Sequence, residues 1–100
     1  MVEIRWLKEA LDDMKDIHGY IARDSKSYAR RQVVQLTDKV QILKTRILIG
    51  KIVEEVSRED IREIVHGHYR IIYRIVNDKR VDVLFVHHGA RDIHRRLKDV

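Results

Sequence analysis

The stretch Ile61-Arg62-Glu63-Ile64-Val65-His66-Gly67-His68-Tyr69-Arg70-Ile71-Ile72-Tyr73-Arg74-Ile75-Val76, continued by Val81-Asp82-Val83-Leu84-Phe85-Val86-His87-His88-Gly89-Ala90-Arg91, decides the fold. β-Branched and aromatic residues fill three runs, and turn residues separate them, which is the pattern of strands. His66-Gly67-His68 predicts the first turn and Asn77-Asp78-Lys79-Arg80 the second. Links this short force antiparallel neighbours. In the middle run Tyr69, Ile71, Tyr73 and Ile75 share one face, and Arg70, Ile72, Arg74 and Val76 the other.

Upstream, the period changes. Val2-Glu3-Ile4-Arg5-Trp6 alternates apolar and charged residues, as a half-buried strand does. From Leu7 a helical stripe begins: Leu7, Ala10, Leu11, Met14, Ile17 and Ile21, with Lys8, Glu9, Asp12, Asp13, Lys15 and Asp16 on the opposite face. Asp24-Ser25 supplies a break and an N-cap. A second stripe follows at Ala29, Val33, Leu36, Val40, Leu43 and Ile47, and Gly50 is placed to end that helix. Residues 51–60 read as a connector with Ile52-Val53 extended, and Ile93 to Leu97 as a last short helix or a tail. The expected fold is α+β: a helical hairpin on a small, mainly antiparallel sheet, in the order β-α-α-β-β-β. One sheet face covers the helical stripes. The other is left with Arg and Tyr side chains, a surface suited to RNA or to a partner segment.

Composition narrows the function. One hundred residues make one domain over residues 1–100, with a modest core. The chain has no cysteine, so disulfides, thiolate nucleophiles and zinc–sulfur sites are excluded. The start carries no signal-peptide apolar stretch, and no apolar run, Ile47-Leu48-Ile49 included, is long enough for a membrane span. A cytoplasmic protein without membrane contact is expected. Twenty-one basic against 16 acidic side chains give a net charge of +5. That excess favours anionic partners, nucleic acid or an acidic protein segment, and is equally that of a well-solvated surface. No His, Asp and Glu spacing makes a metal site, and no cofactor is indicated.

The chain resembles the RelE/ParE superfamily of small toxins nearly end to end. Ala10-Leu11-Asp12-Asp13-Met14-Lys15-Asp16-Ile17-His18-Gly19-Tyr20-Ile21-Ala22 looks like its first helix, and Ile61-Arg62-Glu63-Ile64 like its first hairpin strand. Tyr69-Arg70-Ile71-Ile72-Tyr73-Arg74 is similar to its central strand, and His88-Gly89-Ala90-Arg91 to the corner of the ParE-like branch. Gly50-Lys51-Ile52-Val53-Glu54 resembles the loop between helix and sheet, without the prolines usual there. The resemblance implies the toxin of a type II toxin–antitoxin system, with a role in plasmid stabilisation. A ParD- or RelB-like antitoxin would neutralise it and would alone contact operator DNA. The implied target is DNA gyrase or, alternatively, ribosome-bound mRNA.

Each candidate residue has a functional and a structural reading. Arg62, Arg70, Arg74 and Arg91 are placed to grip phosphate or carboxylate bidentately. Alternatively, Arg62 with Glu63, or Arg74 with Asp82, form cross-strand ion pairs. His87 and His88 are adjacent, so only one can look onto the basic face. As general acid or base, His87 would serve RNA cleavage. Otherwise His88 hydrogen-bonds its corner and His87 is a solvated strand end. Tyr73 would stack on a base or act through its hydroxyl, whereas Tyr20, Tyr28 and Tyr69 read as packing residues and Trp6 as a core or edge anchor. Gly89 reads as a turn that only glycine tolerates.

The leading reading is a non-enzymatic ParE-like gyrase inhibitor. Its target or antitoxin contacts would be Arg70, Tyr73, Arg74, His88, Arg91, Arg95 and Arg96. It rests on the His88-Gly89-Ala90-Arg91 corner and on a connector in which only Lys51 and Arg58 are basic. The alternative is a RelE-like ribosome-dependent mRNA endonuclease using Arg62, Arg70, Arg74 and His87. A further alternative is a non-toxic binding or regulatory module.

Overall fold

The alternation at Glu3-Ile4-Arg5-Trp6 forms a strand, β1 (Glu3–Trp6), in the computed structural model, which describes residues 1–100. Two helices follow, α1 (Lys8–Ala22) and α2 (Lys26–Gln41). Ser25 caps α2: its hydroxyl oxygen accepts the Tyr28 N–H at 3.2 Å, satisfying one of the free donors of the first turn. The two stripes converge, burying Ala10, Met14, Ala29, Leu36 and Val40.

α2 does not run on to Gly50. It stops at Gln41 and gives way to a single 3₁₀ turn, Ile42–Lys44. Gly50 has another job. A Cβ there would lie 2.6 Å from the Tyr73 hydroxyl and 2.7 Å from the Glu63 carbonyl. Glycine is required because the sheet comes that close, not because a helix ends.

The rest of the chain builds the sheet: β2 (Lys51–Ile52), β3 (Ile61–His66), β4 (Tyr69–Asn77) and β5 (Arg80–His88), before a last turn of helix, α3 (His94–Leu97). The sheet has five strands in the order β1-β5-β4-β3-β2. β1 runs parallel to β5, and every other pairing is antiparallel. The architecture is therefore α+β, with the two-residue β2 added to the expected strands. Its brevity explains why no alternation announced it.

The β3–β4 hairpin closes through Gly67-His68, with Gly67 at φ +58°. That is the left-handed region that glycine enters freely. Gly89 is different from the turn expected of it. It has no positive φ. Its N–H donates to the His68 carbonyl at 2.6 Å, and a Cβ would sit 3.1 Å from that oxygen.

Each sheet face carries a core. Ile71, Tyr73, Val81, Val83 and Val86 pack under Ala10, Met14, Leu36, Val40 and Leu43, with Trp6 half-buried at the margin. The opposite face was expected to be open. It is instead covered by the C-terminal segment: Ile93 and Leu97 close over Val53, Ile61, Ile72, Leu84 and Phe85. No helix is long and apolar enough to cross a membrane.

Candidate functional site

Arg70 stands on the second face of β4, beside a shallow recess. All three of its guanidinium nitrogens are engaged. Nε and Nη2 donate to Glu63 at 3.0 and 2.6 Å, and Nη1 and Nη2 donate to Glu55 at 2.9 Å each. This is a bidentate grip on two carboxylates at once, the strongest form of protein ion pair. The Glu63 side chain is only 3% exposed, so it depends on this partner. The Arg70 hydrogen bonds hold the Glu55 carboxyl down at about 2. A shallow recess of about 420 Å³ opens here, lined by Lys51, Glu54, Glu55, Glu63, His68 and Arg70 among others. Its charged groups are two cations against three carboxylates. A phosphodiester entering it would have to displace carboxylates from Arg70 and would meet net negative charge.

The four residues of the cleavage alternative do not converge. Arg62 lies opposite Tyr73 in the β3–β4 register, whereas Glu63 lies opposite Ile72. Directly paired residues share a face, so Arg62 points away from Arg70 and Arg74. Arg62 donates to the carbonyls of Gly50 at 2.9 Å and Glu59 at 3.0 Å, pinning the connector ends. The Arg62–Glu63 ion pair is thus replaced by backbone contacts. Arg74 is half-buried and makes no ion pair. It lies opposite Asp82, but Asp82 is held by Arg80 at 2.9 Å.

His87 is buried, not a solvated strand end. Its Nε2 meets the Arg91 carbonyl at 2.9 Å, and Nδ1 lies 3.4 Å from Arg96. Tyr73 is fully buried beneath the helices. Its hydroxyl donates to the Ile47 carbonyl at 2.8 Å and accepts the Gly50 N–H at 3.0 Å. Burial raises its phenol above the usual value. In this arrangement neither side chain reaches solvent.

The C-terminal corner holds the remaining candidates. Arg96 is a latch. It donates to Asp13 at 2.5 Å and Glu9 at 2.9 Å, and lies 4.2 Å over the Phe85 ring. Asp13 also accepts the Val86 N–H at 2.8 Å. It closes the edge of β5 beyond the reach of β1, whereas the helical pattern had put it on the solvated face. His88, Arg91 and Arg95 are exposed. The His88 ring stacks on His68 at 6.2 Å and meets Tyr69 edge-on at 5.6 Å. Tyr20 and Tyr28, read as packing residues, are 72% and 50% exposed. Burial, with Tyr28 and Tyr20 nearby, raises the Tyr69 phenol. The structure thus gathers His68, Tyr69 and His88 at one end of the sheet and separates them from Arg74.

Sequence reasoning missed Glu55 and Asp13, and paired Glu63 with Arg62 instead of Arg70. Glu63 carried one signal: an acidic residue at an inward position of a strand requires a cation opposite or diagonal to it. Glu55, in an irregular loop, carried none. No group of three or more His, Cys, Asp or Glu is placed to hold a metal ion.

Comparison with known proteins fits this geometry. The chain folds like a protein of the chromosomal ParDE toxin–antitoxin system of P. aeruginosa, with a TM-score of 0.70, 18% identity, and coverage of 88% of this chain and 96% of that one. It also folds like a chain of the RelBE2 toxin–antitoxin complex of Mycobacterium tuberculosis, with a TM-score of 0.63, 22% identity, and coverage of 87% and 96%. A search of curated proteins finds no significant match. The model of the ParE toxin of type II toxin–antitoxin systems, parDE, matches residues 4–93. With nearly the whole chain matched, and with two helices packed on the mixed sheet, this protein belongs to the ParE toxin family of type II toxin–antitoxin systems.

Proposed function

We propose that this toxin arrests growth by acting on DNA gyrase in the cytoplasm, without cutting RNA, and that a cognate ParD- or RelB-like antitoxin neutralises it. The Arg70 arrangement carries this reading. The one strand arginine best placed to hold a scissile phosphate is occupied by Glu55 and Glu63. The only histidine on that face of the strand pair, His87, is buried. Cleavage by 2′-hydroxyl attack needs a free base, a free acid and cations around the phosphate. His88, Arg91 and Arg95 at the C-terminal corner stay exposed, which supports a role for them in binding a partner. Of the other residues expected at the contact, Arg96 anchors the segment that carries Arg95, through Asp13 and Glu9.

The test is a supercoiling assay with purified gyrase, relaxed plasmid and ATP. The toxin should abolish supercoiling, and its antitoxin should restore it. Substituting His88, Arg91 and Arg95 together by Ala should weaken inhibition at least ten-fold, about 1.4 kcal/mol, while the fold is retained. Full supercoiling in the presence of excess toxin would contradict the reading.

A further inference from the structure

Charge is not spread evenly over this molecule. Residues 23–46 contain Arg23, Lys26, Arg30, Arg31, Lys39, Lys44 and Arg46 against Asp24 and Asp38. Seven cations and two carboxylates give +5, which equals the net charge of the whole chain. The partner helix is the reverse: α1 holds Lys8 and Lys15 against Glu9, Asp12, Asp13 and Asp16. The hairpin is therefore acidic on one helix and basic on the other.

The excess concentrates on the outward side of α2. Lys26, Ser27, Arg30, Arg31, Val34 and Gln35 line a shallow groove of about 620 Å³ there. Lys26 and Arg30 are one turn apart, as are Ser27 and Arg31, so the two ridges run side by side. All three cations are exposed and none is in an ion pair. Elsewhere Arg70, Arg80 and Arg96 are all paired with carboxylates. Asp38, one turn beyond Val34, bounds the face.

We propose that this face of α2 binds the phosphate backbone of duplex DNA directly. Three points choose that occupant. The free side chains are cations with a hydroxyl and an amide beside them, the set that contacts backbone phosphates. A docked peptide helix needs an apolar stripe, and Val34 is the single apolar residue among the six. No aromatic ring lines the groove, so unstacked bases of a single strand would have nothing to stack on. The contact is sequence-independent. It holds the toxin on DNA whether or not gyrase is its target, so it does not rest on that reading.

The experiment is fluorescence anisotropy of the full chain with a labelled duplex of arbitrary sequence, about 20 base pairs long, across a salt series. Three contacts give a slope of about −2.7 in log affinity against log salt, or roughly a forty-fold loss between about 50 and 200 mM. The variant Lys26→Ala, Arg30→Ala, Arg31→Ala should bind at least ten-fold more weakly. A control of equal charge, Lys15→Ala, Lys79→Ala, Lys98→Ala, should change less than two-fold. The single exchanges Arg30→Gln and Arg31→Gln keep the comparison open should the triple variant unfold. Absence of binding by the native chain, or equal losses in both triple variants, would overturn the proposal. So would stronger competition by a poly-glutamate peptide or by single-stranded RNA.

Discussion

Arg70 was visible in the sequence, but its occupancy was not. Its two partners lie 7 and 15 positions away, and only the fold brings them onto one guanidinium. Removing Arg70 leaves Glu63 charged and buried without a partner. Arg70→Ala should therefore destabilise the protein by about 3–5 kcal/mol, and adding Glu63→Gln should recover most of that loss. Urea denaturation of the two variants checks it; equal stability of Arg70→Ala and the native chain would remove the structural role. The pairing of Arg70 with Glu55 gives an acid signature. The Glu55 carboxyl sits at about 2 in the fold against an ordinary 4.5. Its folded pKa is depressed, so its contribution is fully present above about 4.5 and is lost as pH falls toward 2. Glu55→Gln should flatten the stability profile in that window when thermal midpoints are followed from neutral to acid pH. Tyr73 illustrates the opposite lesson. Its place on the strand was legible from alternation, but its burial under the helices took it out of reach of any ligand. Tyr73→Phe strands the Ile47 carbonyl and the Gly50 N–H, which should cost about 1–3 kcal/mol.

Among the elements, the long periodic ones declared themselves. Two amphipathic stripes and three runs of β-branched and aromatic residues bounded by turns gave α1, α2 and β3–β5, because a pattern sustained over many residues outweighs local accidents. β2 is two residues long and has no period to read. α3 is four residues long, too short to hold itself together. It exists because Ile93 and Leu97, one turn apart, close over Ile72 and Phe85 while Arg96 reaches back to Asp13 and Glu9. The sequence showed Arg70, Ile72 and Arg74 as an open basic face, because the residues that cover it come from the far end of the chain. Two substitutions separate the roles of this latch. Leu97→Ala should cost about 2–4 kcal/mol through the cavity it leaves under the sheet. Arg96→Ala should release residues 93–100, which hydrogen exchange would record as faster exchange there with α2 unchanged. If exchange over that segment stayed as slow as in the native chain, Arg96 would not be what holds it.

On the scale of the whole molecule, the fold divides its charge between paired and unpaired groups. The network around Arg70 is neutralised and structural. The C-terminal corner at His88, Arg91 and Arg95 is free for a partner. The basic side of α2 faces outward on its own. Membership of the ParE family fixes the architecture, and the neutralised recess is what separates the gyrase reading from RNA cleavage in this chain. Sequence gave the family and the arginines, but the sign of the recess came only from three-dimensional neighbours. The most direct test is to map RNA 5′ ends in bacterial cells after brief expression without antitoxin, with growth followed in the same cultures. The account predicts growth arrest with transcripts intact. New cuts inside translated codons during arrest would contradict it and make the toxin a ribosome-dependent nuclease, and unimpaired growth at full expression would contradict it as well.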